Sequence, residues 1–256
     1  MRNLTVARSE LTRVLPWSLR ALGYAFGTAD RGAHLAANAA SLSPDVLDDL
    51  IASGPRPVEG FDYSAEPAGL HIRAAGTSFL EVGPVAMDYL GAYCPTDGAV
   101  TCRIDGCSNI ELTPAVLLIG ADYGLSSLAL MPSTGKRGWI LSRVSGDSVS
   151  FYSGEDASQL PTVLGGNTAF SGWAADPNDD GSALTLLAMR SEPAVGDTTL
   201  EAQYPMRRIA AADAHGIPIS SETLHALYAL EEITWAPTSE RSRAQAGFTQ
   251  KAVSAA

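Results

Sequence analysis

Apolar positions in the first 54 residues recur at helical spacing. Leu11, Val14, Leu15, Leu19 and Leu22, with Ser18 among them, follow a period of about 3.6 residues, and Gly23 stands where such a helix would end. Pro16 falls inside the run and marks either a kink or an earlier helix start. A second helix is predicted from after Thr28 through Asp30, Leu35, Ala36, Ala39 and Leu42, with alanines small enough for a neighbour to approach closely. A third takes Ser43 as its N-cap and Pro44 as its first helical residue. It shows Leu47, Leu50 and Ile51 on one face and ends before Gly54.

Residues 54–69 are rich in Pro and Gly and read as a connector. Beyond them the pattern shifts to short apolar runs that predict strands at Leu70–Arg73, Ser78–Val82, Val100–Ile104, Leu125–Met131, Trp139–Val144, Ser148–Tyr152 and Leu184–Met189. Thr113 to Gly124 interrupts them as a buried helix, with a capping Thr, a Pro beside it and a closing Gly. Val144 to Val149 carries hairpin-turn residues, and 174–182 is an acidic loop. A last helix, capped by Ser220 or Ser221, presents Leu224, Leu227, Tyr228 and Leu230. The expected architecture is a mixed α/β fold with N-terminal helices, a mixed sheet with interspersed helices, and a C-terminal helix. The expected division is an N-terminal helical segment (1–54), a mixed α/β core (70–236) and a polar, Ala-rich flexible tail (237–256).

Charge narrows the partners. The net charge of −11 and 17 scattered basic residues argue against a nucleic-acid groove or an anionic membrane surface, while leaving room for a local pocket that holds one small anion. No apolar run approaches the roughly 20 residues of a membrane span, and Arg2, Arg8, Glu10 and Arg13 interrupt the apolar stretch a signal peptide would need. Three cysteines fit a reducing compartment, so the expectation is a soluble, cytoplasmic protein.

Cys94, Cys102 and Cys107 are spaced too loosely for a structural zinc site and lack a nearby His, so they are read as small buried residues with no metal. The segment Ser133, Thr134, Gly135, Lys136, Arg137, Gly138 gathers two cations, two hydroxyls and two glycines after a strand. Such a loop is either an anion site or a solvated basic turn. It is not a P-loop, because position 130 is Leu and the residue after Lys136 is Arg137. There is no G-x-G-x-x-G after a strand, no G-x-S-x-G and no H-E-x-x-H. His34 and His225 fall on predicted helices, His71 on a strand and His215 in a turn; each has the chemistry of a general acid or base.

Three stretches together resemble the malate/L-lactate/ureidoglycolate dehydrogenase family. They are Leu4 to Leu11 with Leu19 to Gly23; Ala121 to Leu125 through Met131 to Ser133 with Leu164 to Thr168; and Gly216-Ile217-Pro218-Ile219. The whole is also similar to a proteobacterial family of unknown function. The dehydrogenase resemblance implies NAD or NADP as cofactor and reduction of a small 2-oxo or imino carboxylate on a fold distinct from the Rossmann type. It would place cofactor phosphates at Ser133, Thr134, Gly135, Lys136, Arg137 and at Gly165, Gly166, Asn167, Thr168, with His34 or His71 as a substitute acid. The sequence departs from the family at both of its histidine elements: Leu42-Ser43-Pro44-Asp45-Val46 has no His, and Leu112 stands where a second His belongs after Asn109. A non-catalytic companion subunit or small-molecule binding protein is therefore the alternative reading, with a homo-oligomer or a paired active enzyme as partner. A hydrolase or lyase using Glu81, Asp88, Glu111 or Asp122 is a further one.

Overall fold

A computed structural model describes residues 3–57, 60–66, 69–164, 181–196 and 200–234. Seven strands form one mixed sheet in the order β2 (Asp62–Glu66), β3 (Gly69–Arg73), β4 (Val100–Asp105), β8 (Leu184–Met189), β5 (Ser126–Leu130), β6 (Trp139–Ser145), β7 (Ser148–Gly154). All neighbours are antiparallel except β3 and β4, which run parallel. A separate two-stranded sheet pairs β1 (Asn3–Val6) with β9 (Ile217–Ser220). The helices are α1 (Arg8–Ala21), α2 (Phe26–Leu42), α3 (Val46–Ala52), α4 (Phe79–Tyr93), α5 (Thr113–Asp122), α6 (Leu160–Val163), α7 (Pro205–His215) and α8 (Ser221–Thr234). The fold is α/β and mixed.

A parallel pair cannot be joined by a tight turn, so β3 must cross over to β4, and α4 is that crossover. Here the sequence expectation fails. Ser78–Val82 forms no strand: Ser78 caps α4 by accepting a hydrogen bond from the Leu80 amide at 3.2 Å. Gly83-Pro84 lies inside the helix rather than breaking it. The N-terminus departs too, since Asn3–Val6 is a strand rather than part of a helix. α2 starts at Phe26, and α1 runs unbroken through Pro16. α3 starts at Val46, so Ser43 makes no side-chain cap and Pro44 precedes the helix. The remaining expected strands, the 113–124 helix and the 144–149 hairpin form, but Thr113 is the first residue of its helix rather than a cap, and the expected 54–69 connector contains β2. Ser220 rather than Ser221 caps α8, accepting from the Thr223 amide. Residues 237–256 and most of the acidic loop lie outside the described residues.

Strand alternation decides which face each side chain meets. Ile72, Cys102, Ile104, Leu186, Ala129, Ile140 and Phe151 pack with the apolar faces of α1, α2, α4 and α5 in one large core. The alternate set, Leu187, Met189, Leu128, Leu130, Trp139 and Leu141, packs on Leu160, Val163 and Leu164 across the sheet. α2 comes close to α4 because Gly32 carries no side chain: a Cβ there would sit 2.3 Å from Leu80 Cδ2. Among the described residues, no helix is long and apolar enough to cross a membrane.

Candidate functional site

On the helix-covered side of the sheet a groove runs between the end of α2, the start of α5, the β6–β7 pair and α7. Its first part, about 100 Å³, is walled by Leu42, Pro114, Ile140, Phe151 and Pro205, with Ser43, Ser153 and Gln203 as polar neighbours. Its second, about 290 Å³, is lined by Ser41, Pro44, His215 and the Gly216-Ile217-Pro218 turn. Arg208 lines both and so stands at their junction.

Local sequence builds these walls. Pro205 starts α7 in its first turn, where a missing amide hydrogen costs nothing. The segment before it is tied to β7 by paired backbone hydrogen bonds between Phe151 and Gln203, at 2.8 and 2.9 Å. Arg8 reaches from α1 to Asp213 at 3.1 Å and to Asn38 on α2 at 2.5 Å, tying α7 to α1 and α2. Gly216 ends α7 with a positive φ of 80°, and a Cβ there would lie 2.7 Å from Thr5 Cγ2. Ile209 and Ala212 face inward, leaving Arg208 and His215, seven residues apart, on the exposed side of the helix. Among the described residues neither of these two side chains forms a hydrogen bond or ion pair. The groove therefore offers an unpaired guanidinium, an imidazole, an amide and hydroxyls beside an apolar wall. That set matches a small carboxylate with an apolar portion.

The sequence-predicted residues lie elsewhere. His34 is exposed on α2 and lines neither part of the groove. His71 alternates away from Leu70 and Ile72, so it occupies the sheet face opposite the helices; its Nε2 lies 2.6 Å from Asp105, which also accepts from Arg103 at 3.1 Å. In the 133–138 loop, Arg137 turns inward and donates to the carbonyls of Met131, Leu130 and Ala183 at 3.2, 3.2 and 2.7 Å, and to Thr185 Oγ1. Lys136 is 76% exposed and pairs with Asp156 at 2.9 Å. That contact and two hydrogen bonds from Ser158 hold the Asp156 carboxyl down at about 2. Ser133 Oγ accepts from the Gly135 amide. Thr134 is exposed, and Gly165, Gly166, Asn167 and Thr168 lie outside the described residues.

The remaining candidates are engaged in the framework. Glu81 takes two hydrogen bonds from Arg56 at 2.6 and 2.8 Å. Asp88 takes two from Arg31, both at 2.7 Å, and one from Tyr123, which together lower its pKa. Glu111 accepts from Asn109, and Asp122 is exposed at the end of α5. Burial pushes the Cys107 thiol up to about 12 and raises those of Cys94 and Cys102, so none behaves as a ready thiolate. Among the described residues no cluster of three or more metal-ligating side chains occurs.

Sequence reading missed Arg208 and Gln203 and placed His215 in a turn rather than in the last turn of α7. The available signal was Pro205 followed by Ile209 and Ala212 at helical spacing, which puts Arg208 and His215 on the other face. That spacing was legible; the free state of Arg208 was not.

No protein-family model matches the chain, and a search of curated proteins finds no match. Solved structures do match over most of their length. A dehydrogenase from Sinorhizobium meliloti is similar with a TM-score of 0.64 and 13% identity, covering 90% of this chain and 100% of that one. Malate dehydrogenase from Pyrococcus horikoshii OT3 gives 0.62 and 12%, covering 92% and 97%. Delta1-piperideine-2-carboxylate reductase from Pseudomonas syringae gives 0.51 and 13%, covering 89% and 99%. At these identities the likeness establishes the fold: the chain has the architecture of this dehydrogenase group, at the distance the sequence resemblance implied.

Proposed function

We propose that the protein is an NAD(P)-dependent reductase of small 2-oxo or imino carboxylates, with the Arg208 groove as its substrate site. One observation carries this reading. The groove is walled by Ser43, in the stretch where the family resemblance expects one histidine, and by Pro114, two residues beyond Leu112, where it expects the other. In this reading Arg208 holds the substrate carboxylate by a charge-assisted fork. His215, the histidine that lines the groove, takes the acid role assigned from sequence to His34 or His71. The apolar wall excludes water from the carbonyl. A nicotinamide cofactor would supply the hydride. Of the two cations in the 133–138 loop, Lys136 is the one at the surface able to exchange Asp156 for a cofactor phosphate, because Arg137 is committed to backbone carbonyls. A cytoplasmic setting and a homo-oligomer are part of the same proposal.

A non-catalytic companion or binding protein is favoured by a separate observation. Leu112 is fully buried and Ser43 is a hydroxyl, so neither expected histidine position offers an imidazole. Calorimetry with NADH and NADPH at high micromolar concentration, followed by turnover with a panel of 2-oxo and imino acids, separates the two. Cofactor binding with turnover supports the reductase. Carboxylate binding without turnover supports the companion. Absence of NADH and NADPH binding overturns the reductase.

A further inference from the structure

We infer that the first part of the groove is a side-chain pocket selecting a short branched aliphatic substituent, so that the preferred ligand is a branched-chain 2-oxo carboxylate. This rests on the carboxylate reading of the groove above and adds the class of substituent.

Three features converge. Five apolar residues line the pocket, Leu42, Pro114, Ile140, Phe151 and Pro205, and they come from α2, α5, β6, β7 and α7. A wall assembled from five elements is held in shape by the core behind it, and Ile140 and Phe151 are themselves part of that core. Such a preformed apolar hollow favours a complementary apolar group by excluding water from its surface. The second feature is size. At about 100 Å³ the pocket is smaller than the cavity of about 150 Å³ that accommodates benzene. A three- or four-carbon branched chain matches this volume more closely than a phenyl ring does. A single methyl group would leave most of the hollow empty and forfeit its contacts. The third feature is the position of the charge. Arg208 borders this pocket and the second part, where Ser41 and His215 stand, so a carboxylate on its guanidinium carries its own substituent against Leu42, Pro114, Ile140, Phe151 and Pro205.

The test is equilibrium binding of three carboxylates that share one head group: pyruvate, 4-methyl-2-oxopentanoate and phenylpyruvate. The branched acid is expected to bind about tenfold or more tightly than pyruvate, from the apolar area its extra carbons bury, and more tightly than phenylpyruvate. Two variants move the ranking in opposite directions. Ser153→Leu, at an exposed position on the pocket wall, fills the hollow and lowers the branched-to-pyruvate affinity ratio about tenfold. Ile140→Ala enlarges it and raises the phenylpyruvate-to-branched ratio. A loss of folding would weaken all three ligands together and leave these ratios unchanged. Equal affinities for pyruvate and the branched acid, tighter binding of phenylpyruvate, or ratios untouched by both variants at wild-type urea midpoints overturn the inference while leaving the carboxylate site standing. Failure of all three acids to bind overturns both. The expected ranking without turnover upholds the pocket and removes the reductase.

Discussion

The chain gathers cations in two places that look alike in sequence and differ in structure. Lys136-Arg137 lies in a glycine-containing loop between β5 and β6, and Arg207-Arg208 lies in the first turns of α7. At the first place the charge is consumed. Arg137 bonds the carbonyls at the ends of β5 and β8, and Lys136 is matched by Asp156. At the second, Arg207 lies over the Tyr204 ring at 4.4 Å, while Arg208 has no partner among the described residues and faces a groove. A cation's value to a ligand depends on what already satisfies it, and three-dimensional neighbours decide that.

The sharpest way to break this contrast is at Arg137. Its guanidinium satisfies several partly buried acceptors, so Arg137→Ala should lower unfolding stability by about 3 kcal/mol, read as a fall in the urea midpoint. A variant as stable as the wild type would mean that the loop is a solvated turn after all. Next in size is His215→Ala. On the reductase reading, turnover should fall about 100-fold, with carboxylate affinity shifting by less than about threefold and stability unchanged. An equal fall from His71→Ala, on the opposite face of the sheet, would move the acid elsewhere.

A smaller effect sharpens the comparison by showing what a fully engaged charge does. Glu10 receives Arg13 and Tyr228, and these bonds hold its carboxyl at about 2, below its ordinary 4.5. A depressed carboxylate stabilises the fold above its ordinary value, and that contribution fades as pH falls from about 4.5 towards 2. Glu10→Gln should therefore cost about 1 kcal/mol near neutral pH, a figure discounted for exposure. The two stability curves should converge in that acid window. Least of all, Lys136→Ala should leave the urea midpoint unchanged, because a surface ion pair contributes little; a clear fall would mark Lys136 as part of the framework.

Where local pattern and tertiary need agreed, the sequence was readable. The β5 and β8 runs are buried along their whole length at the centre of the sheet, and β4 beside them alternates Val100, Cys102 and Ile104 with Thr101, Arg103 and Asp105. Thr113-Pro114 announces α5. Where they conflicted, it was not. Ser78–Val82 looks like a strand, yet the β3–β4 crossover requires a helix there, and Gly83 lets α4 pack against Val116. β1 is defined by pairing with a strand more than 200 residues away, which no local window contains. The candidate site followed the same rule. The loss of both expected histidines could be read from the chain, but the groove between them is assembled from α2, α5, β6, β7 and α7. That Arg208 has no partner among the described residues depends on every neighbour that fails to reach it.

The most direct test of that isolation is to titrate one 2-oxo carboxylate into the wild type, Arg208→Met and Lys136→Met, with urea midpoints measured alongside. Arg208→Met is expected to lose about tenfold or more in affinity at an unchanged midpoint, while Lys136→Met binds as the wild type does. Undiminished binding by Arg208→Met, with the loss appearing in Lys136→Met instead, would place the anion at the loop and contradict the Arg208 site.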